Sequence, residues 1–377
     1  MKSILFITGE LSGEIHTRNL IKALKKLRSD IKYYAVGSEI LKSEGCEIVQ
    51  DYKDISIIGF VEVLKRIFKV LKAFKKVREF IKLKKPDLIV LVDFPGFNLK
   101  IAKYCKKYNL KVIYFIAPQI WAWHYKRIKI IKKYVDFVIP ILPFEKKIYR
   151  REKIPAKYYG NPIFENILNY KISKNFKEIL KIPKNYKVVS IFPGSRIQEI
   201  EYNFDELLKA LQILNSLEKK IYFLVSAAFT IDENILNEKL KFYKIENIKV
   251  VKNENYNLLK ISDVSILVSG TITLEALFFN VPYLVVYKLN PITYWFAKNF
   301  IVKIKFISLT NIVANKLVVK EFIGPDFKSE KIVKEVLKIL EDKNYRKKMI
   351  KNLSEVKSKL YRKNALFNIA KKISEFI

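Results

Sequence analysis

The segment Ser269-Gly270-Thr271-Ile272-Thr273-Leu274-Glu275 follows the apolar run Val264–Val268. The run reads as a buried strand and Leu274–Phe279 resumes helical spacing, which predicts strand, tight turn, helix. A helix start carries unsatisfied N–H groups and a partial positive charge, so Gly270 and Thr271 sit where a phosphate would bind. Glu275 falls one turn further in, on the face of Thr271 and one position too late for a capping box. Flanked by Leu274 and Ala276, its carboxylate is costly unless something hydrogen-bonds it. A sugar diol one turn from a phosphate meets both needs and points to a nucleotide. The alternative is an ordinary helix start with Glu275 in solvent.

A second turn of this kind lies upstream. Val188–Phe192 reads as a strand, Pro193-Gly194-Ser195-Arg196 as a turn, and Glu201–Leu214 as an amphipathic helix. Gly194 permits close backbone approach, Ser195 offers a hydroxyl, and Arg196 brings a fixed cation with bidentate reach. Alone, the turn is equally a plain strand-to-helix loop. Two such turns suggest a diphosphate gripped from two sides. Neither fits G-x-G-x-x-G or the P-loop pattern, which withdraws the usual support for NAD or ATP hydrolysis.

The first half places other chemistry at strand ends. Asp93 closes Leu88–Val92 and precedes Phe94-Pro95-Gly96-Phe97-Asn98. An acid there faces a ligand crevice or caps the next helix. Gly9-Glu10-Leu11-Ser12-Gly13-Glu14-Ile15-His16 forms another strand-end loop. Pro118-Gln119-Ile120-Trp121-Ala122-Trp123-His124 follows a strand ending at Ile116. Its two tryptophans suit an acyl chain or a sugar face, or else sit half in the core.

These loops require a scaffold of alternating strands and helices. Strands are predicted at Ile4–Thr8, Lys32–Val36, Asp87–Asp93, Lys111–Ile116 and Asp136–Ile141, with helices such as Thr17–Leu27 and Leu99–Tyr108 between them. An irregular stretch around 160–185 follows. Alternation resumes at Lys187–Phe192, Ile221–Ser226, Ile248–Val251, Val264–Val268 and Pro282–Tyr287, and Ser329–Ile377 is helical in character. Two parallel α/β domains facing across a cleft fit this order, with the site expected in the cleft.

Composition narrows the partners. Half of the 377 residues are hydrophobic, and Cys46 and Cys105 are the only cysteines. That argues against a disulfide framework and for a reducing cytosol. His16 and His124 are the only histidines and lie far apart, so no metal site is expected. The start of the chain does not read as a signal peptide, and Val264–Tyr287 is too broken by polar residues and Pro282 to span a membrane. The net charge of +35 favours anionic partners, yet the lysines are dispersed and no nucleic-acid motif occurs. One helix concentrates the signal: Val61–Lys85 sets Leu64, Ile67, Phe68, Leu71, Phe74 and Ile81 among ten Lys/Arg and two Glu. It reads either as a core-facing helix with a basic outer face or as one that also rests on an anionic bilayer. There each basic residue adds about 1 kcal/mol.

At this point the chain resembles the lipid-A-disaccharide synthase family. The matching stretches are GELSGEIH (9–16), SEGCE (43–47), IIGFVEVLKR (57–66), VDFPGFN (92–98), PQIWAWHYKR (118–127), LPFEK (142–146), PGSR (193–196), SGTITLEA (269–276) and SLTNIVANK (308–316), in family order. Departures are specific. Glu14 stands where the family usually has Asp, and Gly96 where a second acid often follows the proline. Gly160-Asn161-Pro162 replaces Gly-His-Pro, and Ser308-Leu309-Thr310-Asn311 replaces Ser-Leu-Pro-Asn.

The resemblance implies a GT-B fold: an acceptor and lipid domain over 1–165, a UDP-sugar domain over 166–345, and a helical tail over 346–377 returning to the first domain. It implies a glycosyltransferase that condenses UDP-2,3-diacylglucosamine with 2,3-diacylglucosamine 1-phosphate, giving a β-1′,6-linked disaccharide 1-phosphate and UDP. An α-linked donor giving a β product requires inversion by one general base, for which Asp93 is the remaining loop carboxylate. Gly194, Ser195, Arg196, Ser269, Gly270, Thr271, Glu275 and Asn311 are then expected around UDP. Glu10, Ser12, Gly13, His16, Gln119, Trp121 and Trp123 are expected around the acceptor, and Leu64, Ile67, Phe68 and Leu71 at the membrane. No cofactor, metal or nucleic acid is expected, and the enzyme is placed peripherally on the inner face of the cytoplasmic membrane. Two other classes compete: a soluble UDP-sugar enzyme such as a UDP-N-acetylglucosamine 2-epimerase, which has no use for the Val61–Lys85 helix, and a nucleic-acid-binding protein, which leaves the paired phosphate turns without purpose.

Overall fold

A computed structural model describes residues 1–55, 60–122, 124–218, 220–288 and 305–377, apart from the side chains of 60–67. The chain forms two compact units, Met1–Asn166 with Leu360–Ile377, and Ile167–Lys359. The first holds β1 (Lys2–Ile7), β2 (Ile31–Gly37), β3 (Glu47–Asp51), β4 (Leu88–Val92), β5 (Lys111–Phe115) and β6 (Phe137–Ile139). They lie in the order β3-β2-β1-β4-β5-β6, all parallel. The second holds β7 (Lys187–Phe192), β8 (Ile221–Ala227), β9 (Ile248–Lys252), β10 (Val264–Val268), β11 (Tyr283–Tyr287) and β12 (Glu321–Ile323). Their order is β12-β11-β10-β7-β8-β9, again parallel. Each sheet therefore has the doubly wound order.

Helices cover both faces of such a sheet, so its inner strands must be buried and nearly continuously apolar. β4 (LIVLV) and β10 (VSILV) are buried at every residue. On β1, Leu5 and Ile7 enter one core with Val77, Ile81 and Phe97, while Ile4 and Phe6 enter another with Leu20, Leu24 and Ile369. That division is the two-residue period of a strand. The last helix, Ala365–Ser374, packs against Leu11–Leu27 in the first unit, whereas Lys343–Lys359 belongs to the second.

In a doubly wound sheet the chain leaves in opposite directions from the two central strands, which opens a crevice at their carboxyl ends. Those pairs are β1/β4 and β7/β10. The four loops that follow them are Thr8–Glu10, Asp93–Phe94, Pro193–Arg196 and Ser269–Thr271. The loops singled out by residue chemistry after these strands thus occupy the switch point of their sheet.

Candidate active site

At the first switch point the backbone is strained. Asp93 and Phe94 have φ of +49° and +44°, and Ile116, just past β5, has φ of +55°. Left-handed backbone is a true outlier for a β-branched or bulky residue and persists only where the surroundings impose it. Here they do. Asp93 N–H points to the carbonyls of Phe115 and Ile116, at 3.4 and 3.2 Å. Its own carbonyl accepts from the buried Asn98 amide at 2.8 Å and from the Tyr114 hydroxyl at 2.7 Å. The Asn98 amide also lies 3.1 Å from the Val92 carbonyl and 3.3 Å from that of Ile7, tying β1 to β4.

The N-cap of the helix Pro95–Cys105 is Phe94, not Asp93. The half-buried aspartate is held by its backbone at the end of a central strand. Gly9 is fixed by close approach: a Cβ there would lie 2.2 Å from the Phe94 ring. Both loops of the switch point are therefore packed on each other.

The neighbouring positions divide. Glu10 is the N-cap of Leu11–Leu27 and is half-buried, as is Ser12, and Gly13 is buried. His16 is buried with Nδ1 unpartnered among the described residues, and burial lowers its imidazole to about 4, so it is neutral near pH 7. Glu14, the departure from the family's aspartate, is fully buried and accepts from the Ser38 hydroxyl at 2.8 Å and from the Ser38 N–H. Its longer reach secures the turn after β2. Asn161 is likewise internal: its Oδ1 accepts from Ile163 N–H at 3.1 Å and its amide donates to the Ile141 carbonyl at 3.2 Å.

Gln119 is exposed, Trp121 is half-buried, and Trp123 lies outside the described residues. The Trp121 indole donates to Glu145 Oε1 at 2.9 Å, and its ring meets Phe144 edge-on at 5.0 Å. Glu145 is buried and also accepts from Leu142 N–H at 3.1 Å. Burial pushes this carboxyl up to about 7, against the pull of the Trp121 and Leu142 bonds, and the charge of Asp93 adds to the rise. Sequence reasoning missed Glu145. Its signal was the LPFEK stretch, where nothing distinguishes a buried glutamate from an exposed one.

At the second switch point Gly194 has φ of +127°, and the turn it makes delivers Ser195 and Arg196 to the start of the helix Ile197–Leu217. Both are exposed. After β10, a Cβ on Gly270 would meet nothing within 4 Å, and Thr271 is the exposed N-cap of Ile272–Phe279. Ser269 donates through its N–H to the Val286 carbonyl at 3.2 Å.

Glu275 is not in solvent. Its Oε2 is inaccessible and has no hydrogen-bond partner among the described residues, and burial lifts its carboxyl to about 7 with the Asn255 amide offsetting part of the rise. An orphaned buried carboxylate oxygen asks for a donor.

Asn311 is a correction. The side chain expected on uracil or phosphate is fully buried and spends every hydrogen-bonding position internally. It donates to the Val319 carbonyl at 2.8 Å and Glu321 Oε1 at 2.7 Å, and accepts from the N–H groups of Val318 and Val319 at 2.7 and 3.0 Å. An amide with two hydrogens and two lone pairs has nothing left for a ligand. It holds the segment 308–321 in place.

On the helix Phe60–Lys84, the side chains of Leu64 and Ile67 lie outside the described residues. Phe68 and Leu71 are 79% and 57% exposed, while Ala73, Val77 and Ile81 form the buried face. The core-facing reading holds for the second half of the helix and fails at Phe68 and Leu71.

The architecture and the paired switch points define the class. The fold matches the S. aureus MnaA–UDP co-structure, with a TM-score of 0.70 at 14% identity, covering 100% of this chain and 97% of that one. It also matches a Neisseria meningitidis UDP-GlcNAc 2-epimerase bound to UDP-GlcNAc, with a TM-score of 0.64 at 13% identity and 99% of both chains. The chain thus has the two-domain GT-B type of fold. The family model for lipid-A-disaccharide synthetase matches residues 4–373. Lipid-A-disaccharide synthases of Coxiella burnetii (strain CbuG_Q212) and Myxococcus xanthus are 34% and 32% identical, over 100% and 99% of this chain and 99% and 97% of theirs. The chain belongs to the lipid-A-disaccharide synthase family.

Proposed function

We propose that this glycosyltransferase of lipid A disaccharide synthesis joins UDP-2,3-diacylglucosamine to 2,3-diacylglucosamine 1-phosphate with inversion, and that the residues at the two switch points carry the steps. The first unit takes the acceptor and the second the UDP-sugar. Asp93 removes the proton from the acceptor 6-hydroxyl, a role typically worth about 10²–10⁴-fold in rate. Arg196, Ser195 and the helix start at Gly270-Thr271 stabilise the charge that develops on the departing diphosphate. Glu275 accepts from the ribose hydroxyls. The observation that carries this reading is the orphaned Glu275 Oε2 one turn inside a helix whose N-terminal residues are open. Incubation with both lipid substrates should yield disaccharide 1-phosphate and one UDP per product, read by mass spectrometry. No coupled product would overturn it.

Substrates with acyl chains have to be met at a bilayer surface, and among the described residues no helix is long and apolar enough to cross one. The exposed Phe68 and Leu71 stand among the lysines of Phe60–Lys84, so this helix is proposed as a reversible contact with anionic lipid. Cosedimentation with anionic vesicles should weaken as salt rises, because screening shortens the reach of the lysines. Phe68→Ser with Leu71→Ser should weaken it several-fold further at fixed salt, with circular dichroism unchanged, since neither side chain is in the core. Equal binding by variant and wild type would remove this helix from the contact.

A further inference from the structure

The turn Pro193–Arg196 already carries an anion of its own. Ser195 N–H donates to Glu199 Oε2 at 2.8 Å, and Arg196 Nη1 lies 3.2 Å from Glu199 Oε1. A Cβ on Gly194 would fall 2.5 Å from Glu199 Cβ and 2.7 Å from Oε2, so the turn is wrapped around this side chain. The Glu199 side chain is only 14% exposed. From the far side, the Thr230 hydroxyl donates to the Ser195 carbonyl at 2.5 Å and fixes the turn.

A glutamate three residues after the N-cap ordinarily returns to the N-cap N–H. The N-cap here is Arg196, and Glu199 reaches one residue further back and binds the arginine side chain as well. Its two partners are the donors that a diphosphate would need at this turn. A carboxylate and a phosphate cannot share them without strong repulsion.

We propose that Glu199 is a displaceable stand-in for the diphosphate, holding the donors in position until a nucleotide arrives and lowering the affinity for UDP. The proposal rests on the reading of Pro193–Arg196 as a diphosphate turn. Displacing the carboxylate costs its bonds, so UDP binds less tightly than free donors would allow and leaves more readily after transfer. Uridine, without phosphates, does not enter this competition.

Glu199→Gln keeps the shape and an acceptor for Ser195 but removes the charge. By calorimetric titration it should bind UDP on the order of tenfold tighter than wild type, with uridine affinity unchanged. Glu199→Asp, too short to hold both donors, should tighten UDP in the same direction and guards against misfolding of the first variant. Thermal melting confirms the fold of each. Unchanged or weaker UDP binding in folded variants would make Glu199 a plain helix cap and overturn the proposal. Failure of wild type to bind UDP at all would overturn the diphosphate reading beneath it.

Discussion

Asp93→Asn should lower turnover by at least about a hundredfold while UDP binding stays near that of wild type, because the role proposed for Asp93 is proton transfer. The substitution isolates the side chain unusually well. The loop is held through the Asp93 backbone, whose carbonyl takes the Asn98 and Tyr114 bonds and whose N–H points to Phe115 and Ile116. None of these needs a carboxylate. The φ of +49° is also a conformation that asparagine adopts readily, so the strained turn survives the change. Asp93→Ala is a poorer test, since alanine disfavours that φ and mixes strain with chemistry. The measurement is kcat at saturating donor and acceptor, alongside a UDP titration. Turnover like that of wild type would remove Asp93 from the mechanism, and a parallel loss of UDP affinity would make its role structural.

Much of this arrangement was legible because the centre of a parallel sheet needs nearly continuous apolar runs. β1, β4, β7 and β10 announce themselves that way, and the glycine, serine and acid residues at their ends announce the loops. Of the four edge strands, β6 and β9 are legible as Asp136–Ile141 and Ile248–Val251, and the other two are not. Glu47–Asp51 and Glu321–Ile323 were missed, being half-exposed with no continuous apolar signal. Helix starts were placed late, at Thr17 and Glu201 instead of Leu11 and Ile197, because the small and polar residues of the strand-end turns interrupt the helical period.

The same limit applies at the site. Asn98, Tyr114 and Glu145 look in sequence like ordinary helix and strand residues, and their importance lies in partners distant in sequence. Asn311 shows the converse. An amide in a polar loop reads as equally suited to a ligand or to its own backbone, and only the fold shows that Val318, Val319 and Glu321 consume it.

Glu275 offers a test in which binding and stability move in opposite directions. Burial raises its carboxyl from 4.5 to about 7, so below neutrality the free protein holds it protonated. A ribose diol donating to the carboxylate favours the charged form, so binding below pH 7 must release a proton. Affinity for uridine, which has no phosphate to titrate, should therefore rise with pH up to about 7 and level off above it. Glu275→Gln should abolish that dependence and, at pH 8, weaken uridine by about 1.5–3 kcal/mol, roughly ten- to a hundredfold. Stability runs the other way. A carboxyl raised on folding loses its stabilising contribution as pH climbs from 4.5 through about 7, while the amide variant has no such loss. Above pH 7 the variant should resist denaturant better than wild type while binding uridine worse. A merely structural glutamate would alter stability and leave uridine affinity and its pH profile untouched, and that result would take Glu275 out of the nucleotide site.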